Sequence, residues 1–267
     1  NILFYKLKKK FPSTKFISVQ NGHRTQYRDF FSILEKNKHL NLECDKIFIA
    51  NLGFGKMIKK FIKCEVVPLG FFKNNFVKLK KQKTLKKSLL FLSQFRENQT
   101  QEDFFLVEKK LLKFLADFCL KNKLNLYILG CSENFIKEKK YYQSILMNYK
   151  YNFQKKLKYP LNYKLVDKFN IIVFVDSTLG YESISRGKKV AAFSSRKKTV
   201  KGGLEKFGWP NKFKDIGFFH CSNEFKKIEA EKIMTNVINI NQNKWNKFVR
   251  PKLKSISICP TALTNDD

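Results

Sequence analysis

Ile171-Ile172-Val173-Phe174-Val175-Asp176-Ser177-Thr178-Leu179-Gly180-Tyr181-Glu182 is the stretch on which the fold turns. An unbroken apolar run rich in β-branched residues fits a strand buried on both faces, which is the habit of parallel sheets. Asp176, Ser177 and Thr178 end the run with helix-capping chemistry, and residues 179–186 read as the helix that follows. Lys189 to Phe193 (KVAAF) then reads as the next strand. Strand, helix and strand in this rhythm predict an α/β unit.

Reading outward from that stretch, the rhythm holds on both sides. Ser88 to Ser93 reads as a buried strand, and Gln101 to Lys121 as a helix with apolar residues at Phe104, Val107, Leu111, Leu115 and Phe118. These spacings of three and four place one stripe against a sheet. Leu124 to Leu129 is another strand, closed by Gly130. Glu133 to Met147 and Asn223 to Ile240 read as helices. Nearer the start, Lys15 to Gln20, Asp45 to Ala50 and Glu65 to Leu69 read as strands, and Gly55 to Ile62 as a helix. Lys73 to Lys87 is polar and reads as a linker. The expectation is two Rossmann-like parallel-sheet domains, 1–80 and 81–267, facing each other across a cleft. The first reads short and the chain starts at Asn1, so part of it is expected to precede residue 1.

Composition bounds the function. The 267 residues carry 54 Lys plus Arg against 22 Asp plus Glu, a net charge of +32. Only six of the basic residues are Arg, and the lysines are spread evenly. Sequence-reading proteins favour the planar fork of Arg, and no nucleic-acid-binding motif occurs, so the charge does not point to nucleic acid. It fits a solvated lysine surface; the alternative is a surface attracted to anionic lipid headgroups or an anionic glycan, the former as a peripheral membrane contact. The six cysteines form no CxxC pair and have no histidine at zinc-ligand spacing. Reduced, buried thiols are expected, with no metal and no resident cofactor. This cysteine usage fits a cytoplasmic location, with the inner face of the cytoplasmic membrane as the surface within reach, and no long uncharged apolar run occurs, so no transmembrane helix is expected.

Ligands of open parallel sheets sit beyond the carboxyl ends of the strands. At the Asp176 end, a helix opening at Ser177 and Thr178 offers unpartnered first-turn amides and a positive dipole end, which suits a phosphate. Glu182, about one turn in, could accept bonds from ribose or sugar hydroxyls. A simple helix cap is the competing reading. At the Ser93 end, Arg96 is a fork for a diphosphate or carboxylate, with a surface pair to Glu97 as the alternative. In the first unit, Gln20, Asn21, His23 and Arg24 would face the cleft. Asp176 and His23 are the candidate catalytic groups. Gly53 to Met57 fails as a phosphate loop, because Ala50 and Met57 replace a glycine and the magnesium-binding hydroxyl.

These residues resemble the bacterial surface-carbohydrate biosynthesis transferases, which look like GT-B glycosyltransferases. The resemblance rests on SVQNGHR (18–24), VPLGFFKNN (67–75), LLFLSQFRE (89–97), LNLYILG (124–130), DSTLGYESISRGKKVAAFSSR (176–196) and the FGWP…GFF stretch (207–219). It implies a nucleotide-activated sugar donor, CMP- or UDP-linked, and a surface-polysaccharide or lipid-linked glycan acceptor. The nucleotide would lie on the second domain against Ser93, Arg96, Gly130, Ser177, Thr178, Gly180, Glu182 and Lys188, with Gln20, Asn21 and Arg24 toward substrate. A non-catalytic nucleotide-sugar or glycan-binding module is the alternative.

Overall fold

The computed structural model describes residues 2–22, 31–79, 83–97, 102–194, 207–210, 213, 216–222 and 224–256. His23 and Arg24 lie outside the described residues. The first unit is a three-stranded parallel sheet of β1 (Ile17–Val19), β2 (Leu42–Ile49) and β3 (Ile62–Pro68), in that spatial order. Around it lie α1 (Ile2–Lys10), α2 (Phe31–Lys36) and α3 (Leu52–Ile58). Asn51 starts α3 by accepting the Phe54 amide at 2.8 Å. A Cβ on Gly55 would meet the side-chain ends of Ile49 and Val66, so this glycine lets α3 lie close on the sheet. That packing explains Gly55 of the failed phosphate loop.

The chain then turns at Gly70, whose φ of +79° suits a residue without a side chain. The short α4 (Phe72–Asn75) interrupts the stretch read as linker. The second unit is a six-stranded sheet of β4 (Ser88–Leu92), β5 (Asn125–Leu129), β6 (Tyr151–Gln154), β7 (Ile171–Phe174), β8 (Lys189–Phe193) and β9 (His220–Cys221). Its spatial order is β6-β5-β4-β7-β8-β9, and every pairing is parallel. This is the doubly wound order 3-2-1-4-5-6, and its direction reverses between β4 and β7. The helices are α5 (Glu102–Lys121), α6 (Phe135–Leu146), α7 (Leu161–Asp167), α8 (Thr178–Ser185), α9 (Lys227–Asn239) and α10 (Gln242–Ile256). Along α5, Val107, Leu111, Leu115 and Phe118 are buried, as their spacing predicts.

Buried contacts join the units. Ala50 and Phe71 are packed into the core of the six-stranded unit. Arg186, just past α8, is 4% exposed. It pairs with buried Asp167 through Nε at 2.8 Å and donates to Asn74 Oδ1 and the Val77 carbonyl, each at 2.9 Å. The four residues of α4 are therefore pinned to the second sheet. Among the described residues, no helix is long and apolar enough to cross a membrane, and no group of three His, Cys, Asp or Glu could hold a metal. Among the described residues, Cys44, Cys119 and Cys221 are buried and Cys64 and Cys131 half-buried, and none of these five is in a disulfide.

Candidate functional site

The reversal point between β4 and β7 brings two of the predicted strand ends side by side. Gln94 bridges them. With its amide oriented to satisfy both ends, Nε2 donates to Asp176 Oδ1 at 2.7 Å and Oε1 accepts the Ser177 amide at 3.1 Å. Ser177 is the N-cap residue of α8 by position, but its hydroxyl bonds no helix amide. The Ser177 amide is thus occupied by Gln94, and an anion at this helix end would meet the amides that follow it. Arg96 is exposed beyond β4 and donates weakly to the Phe95 carbonyl at 3.5 Å. Glu97 turns to Asn134 at 2.7 Å and Lys137 at 3.5 Å, so it does not take Arg96 as its partner.

One turn into α8, the chain opens onto a cavity of about 460 Å³ between the units. It is lined by Thr178, Leu179 and Glu182 of α8, by Gln20, Asn21 and Gly22, by Phe71 to Lys73, and by Asn162 and Tyr163 at the start of α7, and it is open to solvent. The Asn21-Gly22 turn lies against the helix end, since a Cβ on Gly22 would come 3.1 Å from Thr178 Oγ1. Glu182 is 5% exposed, and its Oε1 accepts the Tyr163 hydroxyl at 2.9 Å. Burial pushes this carboxyl up to about 7, against the lowering pull of the Tyr163 bond, Arg186 and Lys73. Glu182 thus changes charge near neutrality while facing a space that a hydroxyl-bearing ligand could fill.

Several predicted residues serve the scaffold instead. Ser93 is buried, and its hydroxyl meets Glu138 and Tyr142, so it is sealed below the strand end. Gly130 leaves room for the Glu138 carboxylate, which a Cβ there would strike. Gly180 lets α8 press onto the Phe174 ring. Lys188 lies at the far end of α8, where its ammonium donates to the Asp167 carbonyl at 2.7 Å, away from the crevice. Gln20 lines the cavity, yet its amide is taken by the Ala50 amide at 2.8 Å and the Gly22 carbonyl at 3.0 Å. Sequence reasoning missed Gln94, although it sits between two chosen neighbours. It also missed Asn162 and Tyr163, which follow the cis Tyr159-Pro160 bond in a short helix without a periodic signal.

Two facing Rossmann-like parallel sheets, with a cleft at the strand ends, define a GT-B-like α/β protein. Residues 17–257 match the family described as "putative O-antigen biosynthesis protein", and the chain belongs to that family. No curated protein matches the chain in sequence. Among solved structures it is similar to the glycosylation-associated protein (Gap123) complex of Streptococcus agalactiae, with a TM-score of 0.55 at 13% identity. The match covers 96% of this chain and 50% of that one, so the chain spans about half the Gap123 length. It is also similar to sucrose-phosphate synthase from Thermosynechococcus elongatus, with a TM-score of 0.55 at 10% identity. There the match covers 96% of this chain and 67% of that one. At these identities the likeness is one of fold.

Proposed function

We propose that the chain is the donor-binding part of a glycosyltransferase, which moves a sugar from a nucleotide-activated donor to a surface-polysaccharide or lipid-linked glycan. The observation that carries this reading is the cavity where Thr178, Leu179 and Glu182 meet Asn21 and Gly22, on the helix that leaves the reversal point of a doubly wound sheet. On this reading the α8 N-terminus stabilises the leaving phosphate, with Arg96, exposed beyond the neighbouring β4 end, as its cation, and Glu182 in the cavity accepts bonds from ribose or sugar hydroxyls. Donors fixed in this way are worth about 2.7–4 kcal/mol each in other enzymes. Asp176, held by Gln94, is the carboxylate nearest that helix end, and His23 and Arg24 follow Gly22 directly in the chain. The names of the family and of the two solved proteins support a role in glycan construction. The lysine surface fits peripheral contact with an anionic membrane from the cytoplasmic side.

Calorimetric titration of UDP and CMP into the full chain tests the reading. Arg96→Ala combined with Thr178→Val is expected to weaken the preferred nucleotide tenfold or more, about 1.4 kcal/mol. Unchanged affinity would remove the phosphate site. Donor binding without turnover, in the presence of a lipid-linked acceptor, would make the chain a binding module.

A further inference from the structure

Beneath the β4 end lies a buried polar chain that the proposed chemistry does not use. Glu108 of α5 and Glu138 of α6 are both fully buried. Between them run three short oxygen contacts: Glu108 Oε1 to Tyr142 Oη at 2.6 Å, Tyr142 Oη to Ser93 Oγ at 2.6 Å, and Ser93 Oγ to Glu138 Oε1 at 2.5 Å. Each contact needs a proton, and the two hydroxyls supply only two. With both carboxyls ionised, one pair of oxygens would face each other with lone pairs alone.

We infer that Glu108 and Glu138 hold one proton between them, that it resides on Glu108, and that Glu108 thereby acts as a positioning residue for the loop after β4. The location follows from the acceptor load. Glu138 already accepts the Cys131 amide at 2.9 Å and the Ser132 amide at 3.1 Å, besides the Ser93 hydroxyl, which is the environment of an anion. The acid O–H of Glu108 then donates to Tyr142, Tyr142 to Ser93, and Ser93 to Glu138. Ser93 Oγ keeps a lone pair for the Phe95 amide at 3.1 Å. Tyr142 retains its proton, because burial and the adjacent Glu108 raise its phenol well above the ordinary value. The other groups facing the chain are Gln94, whose backbone amide reaches Glu108 Oε1 at 3.4 Å, and Cys131, whose Sγ lies 3.4 Å from Ser93 Oγ and donates to the Phe95 carbonyl at 3.2 Å. The proton thus fixes the backbone that carries Gln94 and Arg96, and it does so whether or not the cleft binds a nucleotide.

Infrared spectroscopy of the full chain at about pH 8, where Glu182 is largely ionised, reads the proton directly. A carbonyl band of an un-ionised carboxylic acid is expected, retained in Glu182→Gln and lost in Glu108→Gln. Absence of the band, or its survival in Glu108→Gln, would overturn the assignment. Unfolding midpoints give a second reading. Glu108→Gln still offers Tyr142 a donor and is expected to stay within about 2 °C of the parent. Glu138→Gln sets an amide against backbone donors and is expected to fall by about 5 °C or more. The reverse order would place the proton elsewhere and refute the scheme.

Discussion

The two sheets are built on the same plan but held together differently. The three-stranded unit has a small aliphatic and aromatic core around Ile49, Phe54 and Ile58. The six-stranded unit adds closed polar systems to a larger core: Arg186 with Asp167 and Asn74, and the Glu108–Glu138 chain. The Glu108–Glu138 chain lies under the β4 end, while Arg186 and Asp167 sit at the far end of α8 and tie the second sheet to α4. The second unit therefore supplies fixed geometry, while the first contributes a turn, Asn21-Gly22, and the aromatic edge that begins at Phe71.

The contrast can be broken most forcefully at Arg186. Arg186→Ala leaves Asp167 buried without its partner and should cost about 3–5 kcal/mol, read by denaturant unfolding. An effect near zero would mean that the junction does not depend on this pair. Glu182 comes next. A carboxyl raised from 4.5 to about 7 on folding contributes stability below pH 4.5 and loses it as pH rises through 7, about 3 kcal/mol in all. Glu182→Gln should erase that part of the slope and be more stable than the parent above pH 7. Ligand bonds to ionised Glu182 run the other way, weakening as pH falls through 7.

Smaller effects sharpen the comparison at matched glycines. Gly180→Ala drives a methyl into Phe174, which is packed against Tyr181 and Phe207, and should cost about 1–3 kcal/mol. Gly55→Ala sets its methyl 2.5 Å from Ile49 Cδ1 and 2.6 Å from Val66 Cγ1. The better helix propensity of Ala offsets up to about 1 kcal/mol of the clash, so the variant should be destabilising in thermal unfolding but less so than Gly180→Ala. Smallest of all, Lys121→Ala removes an exposed pair with Glu231 and should leave the midpoint unchanged.

How much was legible in the sequence divides along the same line. Fully buried strands such as Leu89 to Leu92 and Ile171 to Phe174 announce themselves as apolar runs, and the α5 stripe is plain. The edge strand Tyr151–Gln154 alternates polar and aromatic residues and gives no such signal. Helix α10 was hidden by Pro251 and by lysines set between Trp245, Val249 and Leu253, the residues that bury its inner face. At the site, the Asp176 to Glu182 segment was readable because capping residues follow a buried strand. The roles of Ser93 and Gly130 were not, because both depend on Glu138, a residue that sequence alone would leave on the surface. Lys188 read as a phosphate ligand because it is near in sequence, but eight residues of helix carry it to the opposite edge of the sheet.

The decisive measurement is a crystal soak of the full chain with UDP- and CMP-linked sugars. The expected result is nucleotide density in the cleft, with a phosphate at the Thr178 end of α8 and a hydroxyl within bonding distance of Glu182. Density confined to another surface, or an empty cleft at saturating ligand, would contradict the account.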